Sequence, residues 1–129
     1  MILVDSDILV AHLRGVEAAR DWLSTVGRTE KLAVSVLTVT EISGGMRSAE
    51  RTQVWRLLTS LTHEPVSDII ARRAGELMRT WRRSHSGIST IDYLIAATAL
   101  EQGLTLATLN IKHYPMFPNL TVPFSPTQS

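Results

Sequence analysis

MILVDSDILV (residues 1–10) joins a short apolar run to a helical pattern. Ile2-Leu3-Val4 is typical of a short buried strand, and Asp5 follows it directly. The next residues, from about Asp7 to Arg14, predict a helix that Gly15 can end. A buried strand followed at once by a helix is the opening unit of a parallel α/β fold.

The rest of the chain repeats this alternation of strand and helix signals. The strand signals are Leu32 to Val36, Leu104 to Thr108, and a short edge strand at Leu120 to Val122, and Pro65-Val66 is either a link or a strand. The helix signals are Val16 to Thr25, a helix from Thr38 that Gly44-Gly45 interrupts, Ala49 to Leu61, Ser67 to Arg83, and Ser89 to Gly103. Alternation of this kind predicts a three-layer α/β/α sandwich around a parallel sheet of four to five short strands. A helical bundle is the alternative if the short strand runs are misread.

Length and composition limit the class of protein. The 129 residues suit a single domain over 1–129, with an irregular tail from about Tyr114 that contains four of the five prolines. Thirteen basic and 12 acidic residues give a net charge of +1, so an anionic partner has to be met by a local patch. Cysteine is absent, which excludes disulfides and thiolate metal sites. No signal peptide and no apolar run of about 20 residues is present, so we expect a cytoplasmic protein without a membrane segment.

Polar side chains lie where the predicted strands end or the following helices begin. In parallel sheets the ligand crevice lies at the carboxyl ends of the strands. Four residues qualify for this edge: Asp5, Glu41, Asp92 and Asn110. Each also has a purely structural interpretation. Asp5 and Asp7 can cap a helix, Thr38 to Glu41 and Ser89 to Asp92 resemble capping boxes, and Asn110 suits a turn.

Three carboxylates at one edge are costly unless a cation joins them. Each close pair repels by about 4 kcal/mol at a protein-like effective dielectric. A set of oxygen ligands without cysteine suits Mg²⁺ or Mn²⁺ better than zinc. The helix after Asp92 carries no charge from Tyr93 to Leu100, so it is expected to be buried with one acid at its head. The sequence therefore predicts a divalent metal site.

Four blocks of the sequence carry a resemblance to a known family. MILVDSDILV, LTVTEI, STIDYLIAATA and LATLNIKHYPMFPNL resemble the blocks of PIN-domain ribonucleases, and in particular the VapC toxins of type II toxin–antitoxin systems. The resemblance implies a metal-dependent endoribonuclease toxin that acts on RNA, with a cognate antitoxin and a homodimeric state. By the same resemblance Asp5, Glu41 and Asp92 match the acidic metal-site residues. Asn110 matches a fourth position that is often Asp.

Other features admit different interpretations. Asp5-Ser6-Asp7 also resembles the motif of small haloacid-dehalogenase-like phosphatases, although the only late lysine, Lys112, follows the last strand. A non-catalytic PIN-like binding module is the main alternative, favoured by Asn110 in place of a carboxylate.

Basic residues precede the Asp92 helix. Arg79, Arg82 and Arg83 are candidates for contact with an RNA backbone, or simply part of a solvated helix face. His113 follows Asn110 by three residues, which allows it to approach the site, although a surface histidine is the favoured interpretation.

Overall fold

A computed structural model describes residues 1–125 of the chain and contains four strands and six α-helices over that range. The strands are β1 (Ile2–Val4), β2 (Leu32–Ser35), β3 (Thr62–Glu64) and β4 (Thr105–Ala107). The helices are α1 (Ser6–Leu13), α2 (Glu17–Val26), α3 (Val36–Gly45), α4 (Arg51–Thr59), α5 (Asp68–Trp81) and α6 (Thr90–Gln102). Two 3-10 turns, Ser48–Glu50 and Ile111–His113, complete the elements. No helix in this range is long and apolar enough to cross a membrane.

The four strands form one parallel sheet in the order β3-β2-β1-β4. Successive residues of a strand point to opposite faces, so Leu3 and Val4 belong to two different cores. Leu3 packs with residues of α5 and α6, whereas Val4 packs with residues of α1, α3 and α4. Helices therefore cover both faces, and the predicted three-layer sandwich with four strands is confirmed.

Several predicted bounds are wrong for identifiable reasons. The third strand lies at Thr62–Glu64 rather than Pro65-Val66, where proline has no N–H to donate. Helix α3 begins at Val36, with Ser35 as its N-cap, so Thr38 is not a cap. Leu120 to Val122 forms no strand. Residues 114–125 of the predicted irregular tail form no helix or strand, and residues 126–129 lie outside the described part.

The strand order places the polar residues. Strands β1 and β4 are neighbours at the centre and edge of the sheet, and the Asp5 N–H donates to the Ala107 carbonyl (2.9 Å). The chain leaves β1 through α1 and α2 towards β2, whereas β4 lies on the other side of β1. A crevice is expected where the order of strands reverses in this way. Residues after β1 and after β4 therefore meet there.

Two glycines provide a test of this backbone. Gly103 ends α6 in the left-handed region (φ 64°), where a side chain costs about 1–2 kcal/mol. Gly75 lies inside α5, where an added Cβ has no neighbour within 4 Å. We expect Gly103→Ala to lower the free energy of unfolding by about 1 kcal/mol. Gly75→Ala should raise it by about 0.5–1 kcal/mol, because alanine loses less backbone entropy in a helix. Urea unfolding of both variants measures this, and effects of equal sign would contradict the assigned backbone.

Candidate active site

Asp5 is the most enclosed acid at the carboxyl edge of the sheet. It is 7% exposed and caps α1, its Oδ1 accepting the Ser6 N–H (2.9 Å). Its Oδ2 accepts the hydroxyls of Thr108 (2.8 Å) and Tyr114 (2.9 Å). Burial raises the pKa of Asp5, these hydrogen bonds lower it, and the nearby charge of Asp92 adds a smaller upward effect. The capping and the site interpretations of Asp5 are therefore compatible.

Asp7 lies beside Asp5 and is held by the chain after β4. Its Oδ2 accepts the Leu109 N–H (3.0 Å) and lies 3.2 Å from the Thr108 hydroxyl. Its Oδ1 is buried without a hydrogen-bond partner in residues 1–125. Burial, followed by the charge of Asp5, raises the pKa of Asp7 to about 6. The N-cap interpretation of Asp7 is wrong, because Asp5 occupies that position.

Asp92 reaches the same edge from the first turn of α6. The predicted capping box is present, with the Ser89 hydroxyl accepting the Asp92 N–H and Asp92 Oδ2 accepting the Ser89 N–H, both at 3.1 Å. The same Oδ2 lies 2.9 Å from Nδ1 of His113, and Oδ1 lies 3.4 Å from the Tyr114 hydroxyl. Of the two interpretations of His113, the approach to the site is the one the structure shows, since the half-buried ring contacts Asp92. The capping acid thus also faces Asp5 across one hydroxyl group.

Glu41 approaches these acids from the other face of the sheet. It is exposed, and it lies in the second turn of α3 because that helix begins at Val36 rather than Thr38. The predicted capping box at Thr38 is therefore wrong, and the Thr38 hydroxyl is instead buried without a partner in the described range. Partial burial and then the charges of Asp5 and Asp92 raise the pKa of Glu41. Glu41 therefore lies within the field of both other acids.

Asn110 is adjacent to this group without touching its carboxylates. Its backbone N–H donates to the Thr108 hydroxyl (3.1 Å), and its side-chain nitrogen lies 3.1 Å from Nδ1 of His113. His113 in turn contacts Asp92. Asn110 therefore reaches the acidic edge through His113.

The three candidate arginines lie at the same end of the molecule. Arg79 is in the last turn of α5, Arg82 caps that helix, and Arg83 follows in the loop to α6. All three are exposed, and none forms an ion pair with a residue of the described range. Helices α5 and α6 pack as an antiparallel hairpin, so the end of α5 lies beside the start of α6. The loop that follows Arg82 leads to the start of α6, which carries Asp92.

Comparisons with known proteins identify the family of this chain. The family model for the PIN domain matches residues 2–114. The chain belongs to the PIN-domain family. It is 59% identical over 125 residues to ribonuclease VapC10 of Mycobacterium tuberculosis, covering 97% of this chain and 94% of that protein. It is 40% identical to ribonuclease VapC19 of the same organism, covering 96% of this chain and 100% of that one. A solved toxin–antitoxin complex from Klebsiella pneumoniae contains a similar fold, with a TM-score of 0.81 and 24% identity over 96% of this chain and 98% of that one. The family resemblance predicted from four sequence blocks is confirmed.

The acids of this PIN domain suit a hard cation such as Mg²⁺. Within residues 1–125 no three Asp, Glu or His side chains converge closely enough to surround an ion by themselves. Mg²⁺ does not need such a cage, because it usually keeps several waters and binds one or two carboxylates together with substrate phosphates. Asp5 and Asp92, with one hydroxyl between them and an unpartnered Asp7 oxygen nearby, offer oxygen donors of that kind.

Two residues of the candidate site escaped the sequence analysis. Thr108 donates to Asp5, and Tyr114 lies between Asp5 and Asp92. Thr108 was detectable as a hydroxyl at the end of a buried strand, at the edge where ligands bind. Tyr114 gave no such signal, because it begins a proline-containing segment that favours an irregular tail.

The raised pKa of Asp7 predicts how stability depends on pH. The folded protein takes up a proton at a higher pH than the unfolded chain, so Asp7 makes unfolding easier above about pH 6. Its unfavourable contribution decreases as pH falls from 6 towards 3.8, the ordinary value of an aspartate. We expect Asp7→Asn to be more stable than the parent protein at pH 7 in EDTA. On acidification its stability should rise less than that of the parent, because it has no carboxylate at position 7 to protonate. Chemical unfolding at pH 4, 5, 6 and 7 measures this.

Asp21→Asn is the matched control for that experiment. The Asp21 side chain is 67% exposed on α2, so this variant should follow the pH profile of the parent. An Asp7→Asn profile parallel to that of the parent would contradict the raised pKa of Asp7.

Proposed function

We propose that this protein is the toxin of a type II toxin–antitoxin system and cleaves RNA internally with Mg²⁺ or Mn²⁺. The observation that carries this proposal is the pair of carboxylates, Asp5 and Asp92, which a single hydroxyl oxygen separates. Glu41 lies within the field of both, and no lysine or arginine pairs with any of the three acids in residues 1–125. A divalent ion and an RNA phosphate would together balance these charges.

The ribonuclease part of this function follows from similarity in sequence. Identity of 59% across nearly the whole length of a curated ribonuclease makes RNA hydrolysis the activity of this chain. Its family membership also removes the phosphatase alternative. Dependence on a metal and the roles of individual residues are the proposed parts.

Each acid has a distinct task in the proposed reaction. Asp5 and Asp92 would hold the ion, and Glu41, which is exposed, would bind it directly or orient the attacking water. The chemistry that a divalent ion supplies when bound is a lower pKa for the attacking water and charge neutralisation at the phosphate. Thr108, which follows β4, supports Asp5 by donating its hydroxyl to Oδ2, and Asp7 lies 3.2 Å from the same hydroxyl.

RNA is expected to cross this edge of the sheet with its backbone near the end of α5. Arg79, Arg82 and Arg83 are exposed cations without ion-pair partners in the described range, and phosphate contacts need no sequence-specific geometry. Asn110 contacts His113, which in turn contacts Asp92, so both residues would also lie beside the bound RNA.

Two partners besides RNA belong to the proposal. A cognate antitoxin is expected because the Klebsiella structure of the same fold is a toxin–antitoxin complex. A homodimer is expected as well, through α4, which carries the half-buried Trp55, and the helix before it. We place the activity in the cytoplasm, where cellular RNA is translated.

Removal of one carboxylate tests the metal-dependent mechanism. Asp92→Asn keeps the shape of the side chain but removes a charge next to Asp5. We expect RNA cleavage with Mg²⁺ or Mn²⁺ to slow by about 100-fold or more, since several kcal/mol of transition-state stabilisation depend on the ion. EDTA and Asp5→Ala should have similar effects in the same cleavage assay. Glu76→Gln, on the exposed face of α5, is the matched control and should cleave RNA at the parent rate.

The same variant separates catalysis from the alternative of a binding module. A module that only binds RNA or protein would inhibit growth equally well with Asp92→Asn, because the fold remains. A catalytic toxin would lose its growth inhibition with its cleavage. Cleavage that resists EDTA would contradict the metal-dependent mechanism.

Salt dependence tests the proposed RNA contacts. Combined replacement of Arg79, Arg82 and Arg83 by Gln should reduce the salt slope of single-stranded RNA binding by about 2, at about 0.7 per phosphate contact. The matched control replaces Arg20, Arg28 and Lys31 by Gln, which removes the same charge around a cavity of about 620 Å³ at the opposite edge of the sheet. Filter binding at several salt concentrations measures the salt slope of each variant. Equal reductions of the slope in the two triple variants would contradict an RNA contact at the end of α5.

A further inference from the structure

Tyr114 is a buried tyrosine whose hydroxyl reaches the acidic edge. It follows the 3-10 turn Ile111–His113 and is 1% exposed. Its ring packs in the core beneath α5 and α6, with its centroid 6.4 Å from that of Phe117. Its hydroxyl oxygen lies 2.9 Å from Asp5 Oδ2 and 3.4 Å from Asp92 Oδ1. The fixed ring therefore presents one hydroxyl group between two carboxylates.

The hydroxyl has only one proton to give. The shorter distance assigns that proton to Asp5 Oδ2, which also accepts the Thr108 hydroxyl. Both lone pairs of Asp5 Oδ2 are then used, so Oδ1, which accepts only the Ser6 N–H, has capacity left. Asp92 Oδ1 accepts no other hydrogen bond from residues 1–125. Tyr114 thus fixes which oxygen of Asp5 remains available.

We propose that Tyr114 is a positioning residue that orients Asp5 and separates it from Asp92, so that both carboxylates are ready for one divalent ion. This inference rests on the proposed metal-dependent function. Hydrogen bonds from groups behind a ligand fix its orientation, and their removal typically costs 10–100-fold in metal affinity. A tyrosine whose ring is packed in the core suits this task, because its hydroxyl cannot move without displacing the neighbouring side chains.

A second tyrosine supplies a matched control. Tyr93 is also 1% exposed, belongs to the same core cluster and directly follows Asp92. Its hydroxyl, however, has no hydrogen-bond partner in the described part of the chain. Replacement by Phe removes one buried oxygen from each residue and leaves both rings in place. The two variants therefore differ in whether the lost hydroxyl contacts the acids.

The experiment is calorimetric titration of the purified protein with Mn²⁺. We expect Tyr114→Phe to bind the first ion about 10–100-fold more weakly than the parent, and Tyr93→Phe to bind it with the affinity of the parent. Thermal unfolding of each variant in EDTA reports on the fold separately from the ion. In RNA cleavage with saturating Mn²⁺, Tyr114→Phe should lower kcat and leave KM for RNA unchanged, since the arginines are not altered.

The outcomes distinguish this inference from the function on which it rests. A parent protein that binds no Mn²⁺ would overturn the metal-dependent function itself. If Tyr114→Phe binds Mn²⁺ with the affinity of the parent protein, the positioning role is overturned and the metal-dependent function is not. Equal losses of Mn²⁺ affinity in Tyr114→Phe and Tyr93→Phe would show that the effect comes from disturbed core packing. An unfolded Tyr114→Phe in EDTA would show the same. Either result overturns the proposal.

Discussion

The enclosed carboxylate of Asp5 is the constraint on which this end of the molecule depends. An acid that is 7% exposed loses most of its hydration, and an unsatisfied charge of this kind is costly. Its donors come from the start of α1, from the end of β4 and from the segment after the last 3-10 turn. The same group therefore caps α1 and ties it to two points more than 100 positions further along the chain. Its position in turn determines where Asp7 and Asp92 lie.

Stability and activity impose opposite demands at this edge. Burial and mutual repulsion raise the pKa values of Asp5, Asp7 and Glu41, so the charged forms are disfavoured in the isolated protein. The only ion-pair partner of these acids or Asp92 in residues 1–125 is His113, which is charged only when protonated. Acids with shifted pKa values of this kind cluster at functional sites, and in the proposed function a divalent ion balances their charge. The remainder of the fold, with two well-packed cores, compensates.

The sequence predicts most of the fold and the acids of the site for physical reasons that act locally. Two of these signals are visible in consecutive residues. One is the short apolar run followed by Asp5, and the other is the Ser89–Asp92 pair before an uncharged helix. The strand at Thr62–Glu64 was missed because it lies at the edge of the sheet and carries polar residues. Tyr114 was missed because its role depends on Asp5, which lies 109 positions earlier, and no residue near Tyr114 indicates that contact. Contacts between distant segments leave little trace in local patterns.

The distance along the chain between Asp5 and its donors has a consequence for synthesis. Thr108 and Tyr114 follow Asp5 by 103 and 109 positions, so β1 emerges from the ribosome long before either hydroxyl exists. A nascent chain that ends before β4 contains Asp5, Glu41 and Asp92 but lacks two of the three donors that hold Asp5. The proposed site can therefore be assembled only after Tyr114 has left the ribosome. Until that point of synthesis the nascent protein carries the acids of the proposed site without the two hydroxyl groups that orient Asp5.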